Sequence, residues 1–294
     1  MKAFRCLASL IAGAAMLAVM GTTAVGQEGG GAGGAPAKLL FLTHSQGFKH
    51  SSLPVAERVV VELGRKSGLF EATVLEGYKQ ERDAIDLRMI SPDYLKAFAV
   101  VMFFTTGELP LDDAQKEALL AFVRGGKAFV GVHSATDTYY EWPGYGEMIG
   151  GYFKTHGAND EVLVLRIEDK LHPATRMLGD TWPLADEYYQ FGRGEAGSRG
   201  SVPLSRDRVR VLISVDTERS TMGRQAGMTK GGDYPLAWCR DYGQGRVFYT
   251  ALGHREDVWT NLTFQAHLLG GLRWALGLEP GDATPRGETS NPGR

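Results

Sequence analysis

Cysteine is almost absent from this chain. Only Cys6 and Cys239 occur in its 294 residues, and Cys6 lies in an N-terminal stretch that we expect to be removed. No internal disulfide is then available to the remaining protein. Cys239 ends the apolar segment 236–239, which is typical of a strand, so a buried, inert thiol is favoured over a nucleophile.

An excess of charge of either sign is also lacking. The chain has 32 Lys and Arg against 34 Asp and Glu. Loss of residues 1–26 would remove Lys2 and Arg5 and no acid, leaving 30 basic residues and a net charge of −4. This balance gives no basic surface for nucleic acid or for an anionic membrane, so neither is expected as a partner.

Long apolar runs are confined to the N-terminus. Two basic residues precede the uncharged segment 6–24, and Ala24 and Gly26 are small residues at the positions that a signal peptidase reads. Residues 1–26 are therefore predicted to be a signal peptide, with export to the periplasm or the extracellular space and no stable membrane insertion after cleavage. Because the run approaches the length of a membrane span, an uncleaved anchor is the competing interpretation.

The composition divides the rest into three parts. Residues 27–37 are rich in Gly and Ala and are predicted to be a flexible linker. Residues 278–294 are rich in Pro, Gly, Thr and Ser and are predicted to be a loose tail. Residues 38–277 are long enough for one α/β domain.

Short apolar strands alternate with amphipathic segments in the first half of this domain. The pattern predicts an α/β fold, a three-layer sandwich with a mostly parallel sheet covered on both faces. In the second half, strands are separated by longer irregular connections before a closing helix. The predicted strands are 38–43, 70–75, 99–104, 127–132, 161–167, 187–191, 209–215, 234–239 and 245–252. Helices are predicted from Ser52, over 85–98 with a break near Ser91 and Pro92, from Asp112 and over 262–276.

Three of the seven histidines follow directly at predicted strand ends, namely His44, His133 and His254. Ligands of open α/β sheets bind outside the carboxyl ends of the strands. We therefore expect these imidazoles to share one cleft, with nitrogens within about 10 Å of each other. Gly107 follows a fourth strand and is predicted to line the same cleft.

The segment 131–135 has the form of a nucleophile elbow, in which small residues flank a side chain presented at a sharp turn. Its apex is His133, so acyl transfer through a serine or cysteine is not available there. Ser134 lies beside the apex, and a hydroxyl bonded to the local backbone is the favoured interpretation.

Carboxylates and another histidine complete the candidate site. Asp137 follows the elbow, while His156 and Glu187 lie in the second half. Imidazole with carboxylate suits either a divalent metal or an acid–base pair. No two of these histidines have the close spacing of a helix-borne zinc motif, so the spacing does not signal metal binding, and a divalent metal ion as cofactor stays open. The candidate ligands are His44, His133, His156 and His254, whereas His50 is ambiguous between a ligand contact and solvent.

Aromatic residues are frequent around these polar positions, as in carbohydrate sites, where sugar rings pack against aromatic faces. Tyr152 and Trp142 are predicted to contact substrate together with His44, Gly107 and His156. At least half of the neighbouring aromatic residues are expected to be ordinary packing residues.

Six segments of the chain together form a recognisable set of motifs, namely 39–50, 131–137, 150–156, 186–191, 245–254 and 269–277. In order and over about residues 38–277, they resemble the ThuA-like (trehalose-utilisation) family. The resemblance implies a flavodoxin-like, class I glutamine amidotransferase-like fold that lacks the amidotransferase cysteine. It also implies a role in the use of trehalose and related disaccharides through 3-keto-sugar intermediates.

The leading hypothesis is an exported enzyme that acts on a disaccharide or 3-keto-glycoside. His133 or His254 would remove the proton next to the keto group, and Glu187 or Asp137 would protonate the departing oxygen. A bound metal could stabilise the enolate. Hydrolase, lyase and isomerase variants use the same residues.

A non-catalytic sugar-binding protein is the second hypothesis, although binding alone requires fewer imidazoles. A glutaminase or peptidase is disfavoured because the nucleophile is missing. A small carbohydrate is the expected ligand, and homo-oligomerisation stays open.

Overall fold

The computed structural model describes residues 35–287. The predicted signal peptide, most of the predicted linker and residues 288–294 lie outside the described residues. Within residues 35–287, no helix combines the length and the apolar character needed to cross a membrane.

Strands and helices alternate through the first half, and strands dominate the second half before two closing helices. The strands are β1 Ala37–Leu42, β2 Phe70–Val74, β3 Val100–Phe103, β4 Ala128–Val132, β5 Phe153–His156, β6 Val162–Ile167, β7 Thr181–Ala185, β8 Tyr189–Phe191, β9 Arg210–Val215, β10 Pro235–Tyr242 and β11 Gly245–Thr250. The α-helices are α1 Leu53–Ser67, α2 Pro92–Leu95, α3 Asp113–Arg124, α4 Pro143–Ile149, α5 Glu256–Thr260 and α6 Leu262–Ala275.

Nine strands form one mixed sheet in the order β2-β1-β3-β4-β11-β10-β9-β6-β7. The half from β2 to β11 is parallel, and the half from β11 to β7 is antiparallel. β5 and β8 form a separate antiparallel pair. The predicted α/β fold with a mostly parallel sheet is confirmed, with antiparallel strands added on one side. β3 and β4 are fully apolar, as the pattern predicts, and β1 is apolar apart from Lys38.

Local sequence explains the best-defined helix. Asp112 accepts a hydrogen bond from the Gln115 backbone N–H, and the Gln115 side chain accepts one from the Asp112 N–H. This capping box satisfies two N–H groups that the first helical turn leaves without partners. The helix therefore begins where the sequence predicts it.

The predicted helix over 85–98 is largely wrong, because only Pro92–Leu95 is α-helical. Gln115 donates from its amide to the carbonyls of Leu87 and Ile90, so a side chain replaces the helical hydrogen bonds of this segment. β5 and β7 were not predicted. β5 is only four residues long, and β7 contains a proline, which strand patterns disfavour.

Residues 278–287 of the predicted loose tail form no helix or strand, but they contact the rest of the domain. Ala283 is buried, the Trp274 indole donates to the Gly281 carbonyl, and Asp282 pairs with Arg210 at 2.6 Å. Arg210 is itself buried on β9 and also pairs with Asp169 at 2.7 Å. A buried guanidinium needs several acceptors, and the tail supplies two of them, the Asp282 carboxylate and the Thr284 carbonyl.

Candidate functional site

The parallel pairing of β4 with β11 brings two predicted site residues together. His133 follows β4 directly, and His254 follows β11 by four residues. His133 Nε2 lies 3.3 Å from His254 Nδ1. The predicted convergence is therefore confirmed for this pair.

His50 is the third imidazole of the cluster, and the sequence left it ambiguous. Its ring centroid lies 4.9 Å from that of His133 and 5.1 Å from that of His254. The loop after β1 carries it there, because Ser45 bridges to Thr106 beyond the end of β3. Burial is the main cause that lowers the pKa of His50 to about 2, with His133 and His254 adding to it. His50 is thus neutral at physiological pH.

His44 does not join this cluster among the described residues. It is fully buried, and neither of its ring nitrogens has a hydrogen-bond partner. It packs against Gly77, where a Cβ atom would lie 2.5 Å from the ring. β3 separates its strand from β4, so a histidine directly at the end of β1 lies two strands from His133.

Glu187 connects the histidines. Its Oε2 atom lies 3.4 Å from His133 Nε2 and 3.2 Å from His254 Nδ1, and its Oε1 atom lies 3.0 Å from His156 Nδ1. Burial alone would raise the pKa of Glu187, but the hydrogen bonds to the three histidines outweigh it and lower the pKa. Glu187 is therefore a carboxylate in the resting protein.

His156 lies at the end of β5, opposite Tyr189 of β8. Its side chain is 45 % exposed, whereas that of His133 is fully buried. The hydrogen bond to Glu187 is the main cause that raises the pKa of His156. Since Nδ1 faces both Glu187 and the Gly157 carbonyl at 2.8 Å, this nitrogen carries the proton and Nε2 is left to act as an acceptor.

His133 occupies the apex of a strained turn. Its φ of 46° lies in the left-handed region that side chains other than glycine seldom adopt. Its Nδ1 lies 2.7 Å from the Ala251 carbonyl, to which it donates, so the lone pair is on Nε2 and faces the cluster. Ser134 is buried, and its hydroxyl has no hydrogen-bond partner among the described residues, contrary to the predicted backbone bond.

Asp137 lies at the edge of the cluster. The Tyr140 hydroxyl donates to it, and Arg199 lies 3.4 Å away. Burial, the largest influence, raises the pKa of Asp137 above its ordinary value despite both contacts. The two carboxyl groups thus differ, since Asp137 binds a proton more readily than Glu187 does.

Three predicted substrate contacts have other surroundings. Tyr152 is fully buried, and its hydroxyl donates towards the carbonyls of Tyr139 and Trp142. Trp142 packs between Tyr139 and Tyr145. Gly107 has a φ of 78° and exchanges backbone hydrogen bonds with residues 137 and 139. These contacts give the three residues structural roles around the elbow, in line with the packing role expected for most of the aromatic residues.

A polar cavity of about 360 Å³ opens beside the cluster. It provides access to His254, whose side chain is 16 % exposed. Asn159 lies 3.0 Å from His254 Nε2 at this opening. The lining residues are Ser51, Asn159, His254, Arg255, Glu256 and Asp257.

Asp186 holds the loop that carries His254, and the sequence analysis missed it. It is fully buried and accepts backbone hydrogen bonds from Gly253 at 2.7 Å and from Arg255 at 3.2 Å. The signal was its place directly before Glu187, since neighbouring residues on an extended segment point in opposite directions. Glu187 thus contacts the histidines, while Asp186, the residue before it, holds the loop that carries His254.

Replacing Asp186 with Asn should reduce stability by about 1–3 kcal/mol, because the amide cannot accept both backbone N–H groups. Urea unfolding followed by circular dichroism measures this change. Asp257→Asn is the matched control, since Asp257 pairs with Arg255 of the same loop but is exposed, and it should change stability by about 0.5 kcal/mol or less. Equal losses in both variants would contradict the role assigned to Asp186.

Comparisons with known proteins agree with this architecture. The family model described as "ThuA: Trehalose utilisation" matches residues 38–275. A ThuA-like protein from Bacteroides uniformis has a similar structure, with a TM-score of 0.64, 19 % identity, and coverage of 91 % of this chain and 99 % of the other. A ThuA-like protein from Parabacteroides merdae has a similar structure too, with a TM-score of 0.63, 22 % identity, and coverage of 85 % of this chain and 94 % of the other.

A cytoplasmic protein from Salmonella typhimurium shares the fold at a TM-score of 0.52 and 12 % identity, with coverage of 81 % of this chain and 98 % of the other. No curated protein matches this chain significantly. The family model spans most of the sequence and corresponds to the resemblance in its motifs. The chain therefore belongs to the ThuA, or trehalose utilisation, family.

Proposed function

We propose that this protein is an exported enzyme that acts on a glycoside, in particular a 3-keto-glycoside, by acid–base chemistry. Membership of the ThuA family supports a carbohydrate-related role. The basic, apolar and small-residue pattern of residues 1–26 is the argument for export. The titratable groups around Glu187 are the argument for catalysis.

The single observation that carries the proposal is the pair of Glu187 and His156. A carboxylate 3.0 Å from Nδ1 orients the imidazole and stabilises its protonated form, as in hydrolase triads. His156 is exposed, so Nε2 can reach a substrate, whereas the predicted base His133 is buried. The proposal therefore assigns proton removal to His156, while His133 and His254 shape the floor of the site.

Asp137 is the proton donor in this scheme. Its raised pKa favours the protonated form that a general acid needs, while Glu187 stays ionised. The Tyr140 hydroxyl holds the Asp137 carboxyl group in place. The two acid–base groups thus differ in pKa through their environments.

The chemistry follows from the 3-keto group. A neighbouring carbonyl acidifies the adjacent C–H bond, so an imidazole can remove that proton and leave an enolate. The electron pair then expels the glycosidic oxygen, which takes a proton from Asp137. Elimination balances in this way, and addition of water to the product would give net hydrolysis.

Turnover should be tested with the chain starting at Gln27 on a panel of glucosides and their 3-keto forms in D₂O. We expect products from the keto forms and deuterium at the carbon next to the carbonyl. His156→Gln should lower the rate by about a hundredfold or more. Lys154→Gln is the matched control on the same strand, since Lys154 pairs with Glu195 and not with Glu187.

The opposite result is also informative. If sugars bind but no panel member is converted or exchanges hydrogen, the acid–base proposal fails and the sugar-binding hypothesis takes its place.

A further inference from the structure

We infer that His50, His133, His254 and Glu187 form a binding site for one divalent transition-metal ion of the zinc class. Each residue offers one ligand atom, and the four atoms lie within 4.8 Å of one another. The site shares Glu187 with the proposed reaction, but the inference does not depend on which substrate is used. This ligand set contains His50 and Glu187 in place of His44 and His156, which the sequence predicts as ligands.

The spacing of the ligand atoms fits a tetrahedral ion. Zn–N and Zn–O bonds of about 2.0–2.1 Å place neighbouring ligand atoms about 3.3 Å apart. The separations among His133 Nε2, His254 Nδ1 and Glu187 Oε2 are 3.3, 3.4 and 3.2 Å. All three therefore match the edges of one coordination tetrahedron.

The three rings are oriented for convergence and not for stacking. Their planes are inclined at 87° for His50 and His133, 83° for His50 and His254, and 72° for His133 and His254. The centroids are 4.9–5.2 Å apart, so the rings form a nearly equilateral triangle. Roughly perpendicular rings at equal spacing can direct one nitrogen each towards a common point.

Hydrogen bonds alone do not account for the cluster. His133 uses its proton on the Ala251 carbonyl, so Nε2 presents a lone pair, and Glu187 Oε2 presents another only 3.4 Å away. His254 Nδ1 faces both of these acceptors and can donate at most one proton, so it can satisfy only one of them. His50 Nδ1 is buried with no hydrogen-bond partner. A bound cation would explain why these acceptors lie so close together.

The surrounding shell is arranged as in metal sites, where ligands are oriented by further hydrogen bonds. The Ala251 carbonyl fixes the tautomer of His133, and Asp186 fixes the loop of His254. The second oxygen of Glu187 bonds His156, which leaves Oε2 free for the ion. Three imidazoles and one carboxylate favour Zn²⁺ or Co²⁺ over Mg²⁺ and Ca²⁺, which prefer oxygen ligands.

Zinc binding to chelator-treated, full-length protein should be measured by calorimetry without substrate, with Mg²⁺ as the comparison ion. We expect one Zn²⁺ per chain with micromolar or tighter affinity, and no Mg²⁺ binding at the same concentrations. His50→Ala and His254→Ala should each weaken Zn²⁺ binding by about 100-fold. Cobalt should give the visible absorption of a four-coordinate nitrogen and oxygen site.

Lys154→Gln is the matched control, because Lys154 lies on the same strand as His156 but pairs with Glu195, which is not one of the four ligands. Its Zn²⁺ affinity should stay within about threefold of the wild type. Circular dichroism must show that each variant is folded, and Cys239→Ser removes the only described thiol as an alternative ligand.

Two outcomes would overturn the inference. The first is a folded wild-type protein that binds no Zn²⁺ or Co²⁺, which would mean that a shared proton holds the cluster together. The second is an unchanged Zn²⁺ affinity in both His50→Ala and His254→Ala. Because substrate is absent, these results stand apart from any failure of the turnover experiment.

Discussion

Glu187→Gln should reduce turnover of a 3-keto-glycoside by about a thousandfold, within the range that positioned acid–base groups contribute. The amide keeps the size of the side chain but removes the charge shared by His156, His133 and His254. His156 then loses the partner that raises its pKa, so its protonated form becomes less stable. Turnover should fall further than in His156→Gln, because Glu187→Gln disturbs the contact with His156 and also the contacts with His133 and His254.

The same substitution should change how stability depends on pH in the metal-free protein. The lowered pKa of Glu187 stabilises the fold above its ordinary pKa of 4.5, and this contribution disappears as the pH falls through the folded value. The raised pKa of His156 stabilises the fold below its ordinary pKa of 6.5, and this contribution disappears as the pH rises through the folded value. The free energy of unfolding of the wild type should therefore exceed that of Glu187→Gln by the largest amount between about pH 4.5 and 6.5.

Initial rates and urea unfolding from pH 4 to 9 measure both effects. Glu195→Gln is the control, since Glu195 forms an exposed pair with Lys154. A Glu187→Gln variant with wild-type turnover, or with a constant stability difference across this pH range, would contradict the role assigned to Glu187.

The sequence predicts the parallel half of the fold well, because its central strands are buried on both faces and form continuous apolar runs. β1, β3 and β4 are examples, with almost every residue in the core. β5 and β8 are short and carry polar residues, so their pairing depends on contacts with the rest of the protein. β5 has no strand pattern in the sequence, whereas β8 lies within the predicted strand 187–191.

The site is predicted only in part for a similar reason. His133 and His254 follow neighbouring parallel strands. Since the carboxyl ends of such strands meet at one edge of the sheet, their positions in the sequence predict that they lie close together. His50 reaches the cluster through the path of the loop after β1, whereas the ring of His44, which follows the same strand, packs against Gly77. Asp186 acts on backbone groups almost 70 residues away, a relation that spacing alone does not show.

His133 offers a way to separate backbone strain from chemistry. Its φ of 46° is costly for a residue with a Cβ atom, by about 1–2 kcal/mol relative to the right-handed region. Glycine adopts this conformation readily. His133→Gly and His133→Ala both remove the imidazole, so they differ mainly in this backbone term.

His133→Gly should therefore be at least as stable as His133→Ala, and by about 1 kcal/mol more stable if the strain is fully relieved. At ordinary positions glycine is less stable than alanine by about 0.5–1 kcal/mol. Ala135→Gly tests that ordinary order, since Ala135 lies on the same 3₁₀ turn without a positive φ. Both His133 variants should also lose turnover, because the imidazole that shapes the floor of the site is removed. If His133→Gly is the less stable of the two, the turn is not strained; if either keeps full turnover, His133 is not part of the reaction centre.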